Sequence, residues 1–525
     1  MRQTAKVPTP NLAESAFSGS SWTLVQVVLN KGAAAVATFF LGFLLSPVDF
    51  GIAWFANSVG QLLLVFPVVA VSDVLLAHSG NFARLKGSAR ALATRAAITQ
   101  AGVCIMIGAV LSQIYPSKVG LLLAMVVVAM RPIADSIAIV PMSALRIGLR
   151  YGTLAKVDCA VAFIASVCSV MMAWFGMGAM AIVLPPIAAI AVRGVIYGQL
   201  ERTVGPSVVV PRIVPILRSR FLLAALGGYA AGLIFMLEMI VLALCTSTSS
   251  LGLYAFAFGL ATQVNSALSF QAAGALQPII AKLEGDRERQ VSAALRSVRL
   301  LAAIMVPVLL VQCAVGAPII HAIWGGKWDS AAVLFGAISL VQAVYICQWP
   351  AAFVLKAQGR FRAYLKSQCI NTLIAAPVCI AAIRWFPVPA HFLEKFTSLG
   401  VSQEALAPLA VVSASFALVC VFSPLLLWLA VRPGKIRVVT VLDVIWRPWL
   451  TAIPVAVVVG VAARAIERLE MGRVSGTVAL LALAMLGSAV GMIITVGITG
   501  TTRADAAKGL RYLQGRLLQL LPRRA

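Results

Sequence analysis

Acidic residues are scarce in this sequence. Only 17 Asp and Glu stand against 42 Lys and Arg in 525 residues, with three histidines. Charged residues of both signs reach 11%, less than half of the roughly 25% in a soluble domain, which excludes an ordinary water-soluble fold. The histidines (His78, His321, His391) lie far apart in sequence and outline no catalytic or metal cluster. None of the nine cysteines falls in a CxxC or other metal-ligand spacing. All sit within or beside apolar runs and read as small packing residues, so neither a disulfide framework nor a zinc site is implied. A nucleotide-binding glycine motif is also missing, and no cofactor is expected.

What the chain has in abundance is apolar sequence: 61% of residues are hydrophobic and the mean hydropathy is +0.98. About fourteen stretches meet the roughly 20-residue length that crosses a ~30 Å hydrocarbon core. They run from 22–45 to 476–498, and the thirteenth, 450–463, is the shortest. The segment 1–21 is polar and precedes a full-length apolar stretch without a convincing cleavage site, so the first span is expected to remain as a helix. The fold class predicted is all-α, a polytopic membrane protein.

The net charge of +25 does not point to nucleic acid, because the basic residues lie in short loops between apolar spans and not on one face of a soluble domain. They alternate instead. With the N-terminus inside, one set of segments holds about 29 Lys and Arg and the opposite set about 7, which predicts both termini in the cytoplasm. The longest outside loop is short (384–407), too short for an independent domain, so recognition falls to the helical bundle or its mouths.

An internal repeat follows the topology. GFLLSPVDFGIAWFA (42–56) aligns without gaps beside ALCTSTSSLGLYAFA (243–257), pairing Gly51 with Gly252, Phe55 with Phe256 and Ala56 with Ala257. LRIGLRYGTLAK (145–156) aligns beside LKAQGRFRAYLK (355–366), pairing Arg150 with Arg360, Tyr151 with Phe361 and Lys156 with Lys366. Six spans per half is an even number, so the halves are parallel repeats about an axis along the membrane normal, with a central cleft between two six-helix lobes. The expected organisation is a cytoplasmic N-terminus (1–21), an N-lobe (22–200), a cytoplasmic linker (201–220) and a C-lobe (221–431). Two extra helices (432–498) and a basic amphipathic tail (499–525) follow. In the tail Leu510, Leu513 and Leu517 share a helical face with Lys508, Arg511 and Arg516 elsewhere, which predicts a helix lying on anionic inner-leaflet lipid.

Few charges lie within spans. Arg131 and Asp135 sit mid-span at i, i+4 spacing and can meet on one helical face. A charge at that depth costs about 3 kcal/mol or more, so such groups turn from lipid. Two readings stay open for the pair: a structural salt bridge between helices, or an anion site in a transport pathway. Lys31 and Glu238 are also deep, while Asp158, Lys156 and Arg193 lie near inner span ends, where Lys and Arg can snorkel. The second half offers neutral amides instead, among them Gln263, Asn265, Gln342 and Gln348. These serve either as helix contacts or as a wall for hydroxyls.

FLLSPVDFG, SALRIGLRYGTLAKV, LGLYAFAFGLATQVNSALSFQAAGALQPIIAKLEGDRERQ and APIIHAIWGGKWDSAAVL resemble the bacterial polysaccharide transporter family. These are oligosaccharide-lipid flippases of the multidrug/oligosaccharidyl-lipid/polysaccharide exporter superfamily. The resemblance covers about the first 370 residues; the last third follows by span count only. Relatives often carry Arg two places before the Leu-Ser-Pro turn, where this chain has Phe43. The resemblance implies a non-enzymatic flippase in the bacterial inner membrane, with a V-shaped cleft opening alternately to either side. Its implied cargo is an undecaprenyl-pyrophosphate-linked oligosaccharide for exopolysaccharide or O-antigen assembly. Lys31, Arg131 and Arg193, with Gln263 and Asn265, are the candidate substrate-binding residues; Asp135, Asp158 and Glu238 are candidates for coupling or gating. A monomer is expected, with a polysaccharide polymerase and chain-length machinery as partners. A cation antiporter of the same superfamily is the alternative, disfavoured by the excess of deep cations, and a membrane polymerase is the remote one.

Overall fold

The computed structural model describes residues 12–64, 71, 72, 75, 82–201, 233, 236–265, 287–385 and 402–498, less a few single positions. Among the described residues every regular element is helical. Among the described residues, ten helices are long and apolar enough to cross a membrane, and they coincide with the third to sixth and ninth to fourteenth expected spans. The expected first, second, seventh and eighth spans are described only in part, and the basic tail lies outside the described residues. The thirteenth span is longer than its apolar stretch: the helix Val438–Arg468 runs on through Arg447 and Pro448.

Contacts divide the chain into two units, Met1–Gly252 and Leu253–Ala525. The first holds α1 (Leu12–Leu44), α2 (Pro47–Leu64), α3 (Phe82–Ile114), α4 (Leu121–Ala129), α5 (Arg131–Ile147), α6 (Tyr151–Trp174) and α7 (Met180–Leu200). It also holds a short apolar helix, α8 (Met236–Cys245), and the start of α9 (248–263). Here α1 packs along α6, α5 along α7, and α3 against both α4 and α5. The second unit continues with α10 (Arg287–Trp324), α11 (Asp329–Tyr345), α12 (Gln348–Ala357), α13 (Phe361–Trp385), α14 (Gln403–Val431), α15 (Val438–Arg468) and α16 (Arg473–Ile498). In it α10 forms a long spine for α11, α15 and α16.

The fourth and tenth spans are each broken by proline. Pro132 has no N–H to offer Val128, so the chain tightens at Met130, whose N–H turns to Val127 O at 3.0 Å. Pro350 leaves Ile346 O in the same position, and the helix is interrupted between α11 and α12. Irregular backbone at membrane depth is tolerated where protein or a water-filled cavity surrounds it.

The repeat read from the sequence is visible in the two turns that open α2 and α9. Ser46 Oγ donates to Asp49 Oδ2 at 2.6 Å while Asp49 N–H returns a bond to Ser46 Oγ, a reciprocal cap on α2. Ser247 and Ser250, the aligned pair, repeat it: the hydroxyls lie 2.9 Å apart and Ser250 N–H donates to Ser247 Oγ. The aligned glycines then meet these turns reciprocally. A Cβ on Gly51 would run into Thr248 O, and a Cβ on Gly252 into Pro47 O. Each glycine faces the carbonyl four places before its counterpart, which is the signature of a local two-fold axis. Backbone cannot yield as a side chain can, so Gly51→Ala and Gly252→Ala should each destabilise by about 1–3 kcal/mol. Melting in detergent by fluorescence-detected size exclusion checks this, with Gly102→Ala, where a Cβ meets nothing within 4 Å, as the neutral control.

Candidate functional site: a charge relay across three helices

In the first unit the deep charges form a chain of alternating sign across α5, α7 and α6. Arg131 Nε lies 3.8 Å from Asp135 Oδ2, with 34% and 23% of the two side chains accessible. The pair opens α5 immediately after the proline break, so the guanidinium stands where the span is interrupted. Asp135 is also within the electrostatic reach of Arg193 from α7. That approach has a local cause: Gly194 lets α7 lie directly against the backbone of Ala138 on α5. A side chain there would hold the helices apart and carry Arg193 away.

Arg193 has a second partner. Its Nη1 donates to Asp158 Oδ1 at 3.2 Å, and Tyr197 OH donates to the same oxygen at 2.6 Å. Gln26 Nε2, from α1, donates to Asp158 Oδ2 at 2.6 Å. Both carboxylate oxygens are thus occupied by donors from two other helices, and Asp158 is the least exposed of the four charged side chains at 13%. Tyr197 is fully buried. The expectation that Arg193 snorkels is therefore replaced by a defined ion pair. Gln26 and Tyr197 had escaped the sequence reading; the spacing Arg193-x-x-x-Tyr197, one helical face, is the signal that was available.

Lys31 is half-buried on α1, and no hydrogen bond or ion pair joins it to another described residue. Beside it the amide oxygen of Asn30 is buried and has no hydrogen-bond partner among the described residues. Glu238 is half-buried on α8. In the second unit, Asn265 is buried and donates to Gln342 Oε1 at 2.5 Å, tying α9's end to α11, while Gln263 is half-buried nearby in sequence. Gln312 adds bonds to Ala261 O and Ser339 Oγ. The amide of Asn265 is thus engaged in a helix contact. Among the described residues no group of three or more His, Cys, Asp and Glu is placed to hold a metal.

The comparisons with known proteins can be set against this geometry. Residues 40–333, more than half the chain, match the model of the family described as "Polysaccharide biosynthesis protein". The chain belongs to that family. Among solved structures, this polysaccharide biosynthesis protein is similar to "Lipid II flippase MurJ, inward closed conformation", with TM-score 0.56 and 11% identity. The match covers 92% of this chain and 99% of that one, and it shows the shared fold of a polytopic α-helical membrane protein. A MOP superfamily transporter from Pyrococcus furiosus also matches, with TM-score 0.46, 12% identity and coverage of 80% of this chain and 94% of that one. A search of curated protein sequences found no match.

The relay predicts a strong dependence on Asp158. Asp158→Asn leaves Arg193 partly buried beside a neutral amide, and Tyr197 and Gln26 lose a charged acceptor. A loss on the order of 2 kcal/mol is expected, read as a lowered melting temperature. Adding Arg193→Gln should cost clearly less than the sum of the two single changes, because the partners are coupled.

Proposed function

We propose that this family member is a flippase that carries undecaprenyl-pyrophosphate-linked oligosaccharide repeat units from the inner to the outer leaflet of the bacterial inner membrane. It works by alternating access, and its product feeds exopolysaccharide or O-antigen assembly. The observation that carries this reading is the Arg131–Asp135 pair, partly accessible and located at the break in the fourth span. Lipid does not solvate such a pair, so its accessible surface belongs to a wet interior. Arg131 offers a fork for phosphate oxygens, and Lys31 a point charge without a competing partner among the described residues.

In this scheme Arg131 and Lys31 hold the pyrophosphate while the polyprenyl tail stays in the bilayer. Arg193, bound by Asp158, keeps α6 and α7 in register at the entrance. Asp135 competes with the anion for Arg131 and restores the empty state after release; Glu238 is the further candidate for coupling. Gln263, with the network around Asn265, presents amides suited to sugar hydroxyls. The Lys and Arg distribution supports an orientation with both termini in the cytoplasm, and the tail beyond 498 is proposed to rest on anionic inner-leaflet lipid. The protein performs no covalent chemistry in this reading. It acts as a monomer that hands cargo to a polysaccharide polymerase and its chain-length partners.

The test is translocation of a fluorescent lipid-linked oligosaccharide in proteoliposomes, alongside complementation of a flippase-deficient strain. Lys31→Ala and Arg131→Ala should each reduce transport at least tenfold at unchanged membrane levels. Lys31→Arg should retain most of it. Full transport by both alanine variants would remove the anion site.

A further inference from the structure

The turn joining α3 to α4 contains a lysine that the scheme above does not use. Lys118 is only 6% exposed, which is unusual for an ammonium outside the apolar spans. Its Nζ donates to Ala243 O at 2.6 Å. It also lies 4.4 Å from the ring centroid of Phe55 and 4.6 Å from that of Tyr115, two aromatic faces set edge to face. Tyr115 OH donates to Leu244 O at 3.0 Å.

The acceptors explain why these donors are there. A helix leaves its last four carbonyls without intrahelical partners, at the negative end of its dipole. In α8 these belong to Leu242, Ala243, Leu244 and Cys245. Thr246 N–H takes Leu242 O at 2.9 Å. Lys118 and Tyr115 take the next two. Two of the carbonyls at the end of α8 are therefore capped by the α3–α4 turn, more than a hundred residues earlier. The same end leads into the Ser247–Ser250 turn, which rests on Gly51 and Pro47 through the reciprocal glycine contacts.

The corresponding turn of the second unit is built differently. There Phe256, the counterpart of Phe55, stacks on Trp328 at 3.9 Å between centroids and meets Trp324 edge to face. Trp328 is fully buried. One repeat thus fills the place beside this phenylalanine with an indole, with Lys327 Nζ 5.8 Å from its ring centroid, and the other fills it with the amine itself.

We propose that Lys118, with Tyr115, is a proton-sensitive clasp that holds the outer end of the seventh span closed against the second span and the α3–α4 turn. This rests on the orientation and alternating-access cycle of the proposed function, in which that end must part for cargo to leave. The sign of the pH effect follows from burial. Desolvation pushes the Lys118 ammonium down to about 8 from the usual 10.5, opposed by Cys245, whose exposed thiol and the Tyr115 hydroxyl are the ionisable groups facing it. Among the described residues, Phe55 and the α8 carbonyls are its other neighbours and carry no titratable group. Once the clasp opens, Lys118 returns to water and its ordinary value. The closed form then binds the proton less tightly than the open form, so closure strengthens as pH rises from about 8 to 10.5 and is weakest, and flat, below 8. A neutral amine still donates to Ala243 O; its charge is what opposes burial. At neutral external pH the clasp is therefore held lightly, ready to release.

Electron–electron resonance distances test this on the full-length protein in lipid nanodiscs, with native cysteines replaced and nitroxides at Val48→Cys and Leu244→Cys. Both positions are exposed, at 45% and 42%. With Lys118 present, the ratio of short to long distances should rise roughly tenfold or more between pH 7 and pH 10. Lys118→Met, similar in length but without a donor, should favour long distances at every pH, and Lys118→Arg should show no pH dependence in that range. Distances that ignore pH with Lys118 present, or a Lys118→Met protein as closed as its parent, overturn the clasp. Translocation assays on the same samples separate the two claims. pH-dependent distances without cargo movement sink the flippase reading and leave the clasp, whereas transport with unmoving labels does the reverse.

Discussion

An ionised side chain inside a bilayer has to be solvated by something other than lipid, and that single requirement organises the first unit of this protein. Asp158 meets it with donors from two neighbouring helices, Arg193 and Tyr197 from α7 and Gln26 from α1. Arg131 and Asp135 meet it with each other and with whatever occupies their accessible third and quarter of surface. The proline break that precedes them fits the same logic, since frayed backbone and naked charge share a need for polar surroundings. Helices that could otherwise slide on apolar faces acquire fixed partners through these bonds. The relay is thus at once the glue of α5, α6 and α7 and the polar surface that a charged cargo would require.

The contacts around the end of α8 use other materials. Two turns related by an internal repeat interlock through glycines that allow carbonyl-to-Cα approach, and a lysine and a tyrosine take two carbonyls at the end of α8. Lys118 is more completely buried than any of the four relay charges, whose side chains are 13–34% accessible.

Much of this could be read in the sequence, and the parts that could not have a common cause. Apolar run length is a local property, and it located ten of the spans that the structure describes. Spacing within one helix is also local, so the Arg131–Asp135 pair was expected. The repeated Ser–x–x–Asp and Ser–x–x–Ser turns lay in the aligned segments, although their capping roles went unnoticed. Which helix stands opposite another is not a local property. Gln26 and Asp158 are 132 residues apart, and Lys118 and Ala243 are 125 apart. From helical period alone, Arg193 looked free to snorkel, and Lys118 drew no reading at all. Small residues carried the missing information: Gly194 sets the α5–α7 approach and Gly51 the contact of the two turns. A glycine in an apolar span does not say which neighbour it admits.

The central claim is that the charged face of the fourth span looks into water and not into lipid or dry protein. Thiol accessibility measures this directly: single Arg131→Cys, Asp135→Cys, Met142→Cys and Ile137→Cys variants in membrane vesicles, treated with a charged methanethiosulfonate reagent. The account predicts rapid reaction at 131 and 135, slow reaction at Met142→Cys, which packs against Leu145, Leu154 and Tyr197, and none at Ile137→Cys, whose exposed side chain lies on the other face of α5. Inert thiols at both 131 and 135 would contradict it.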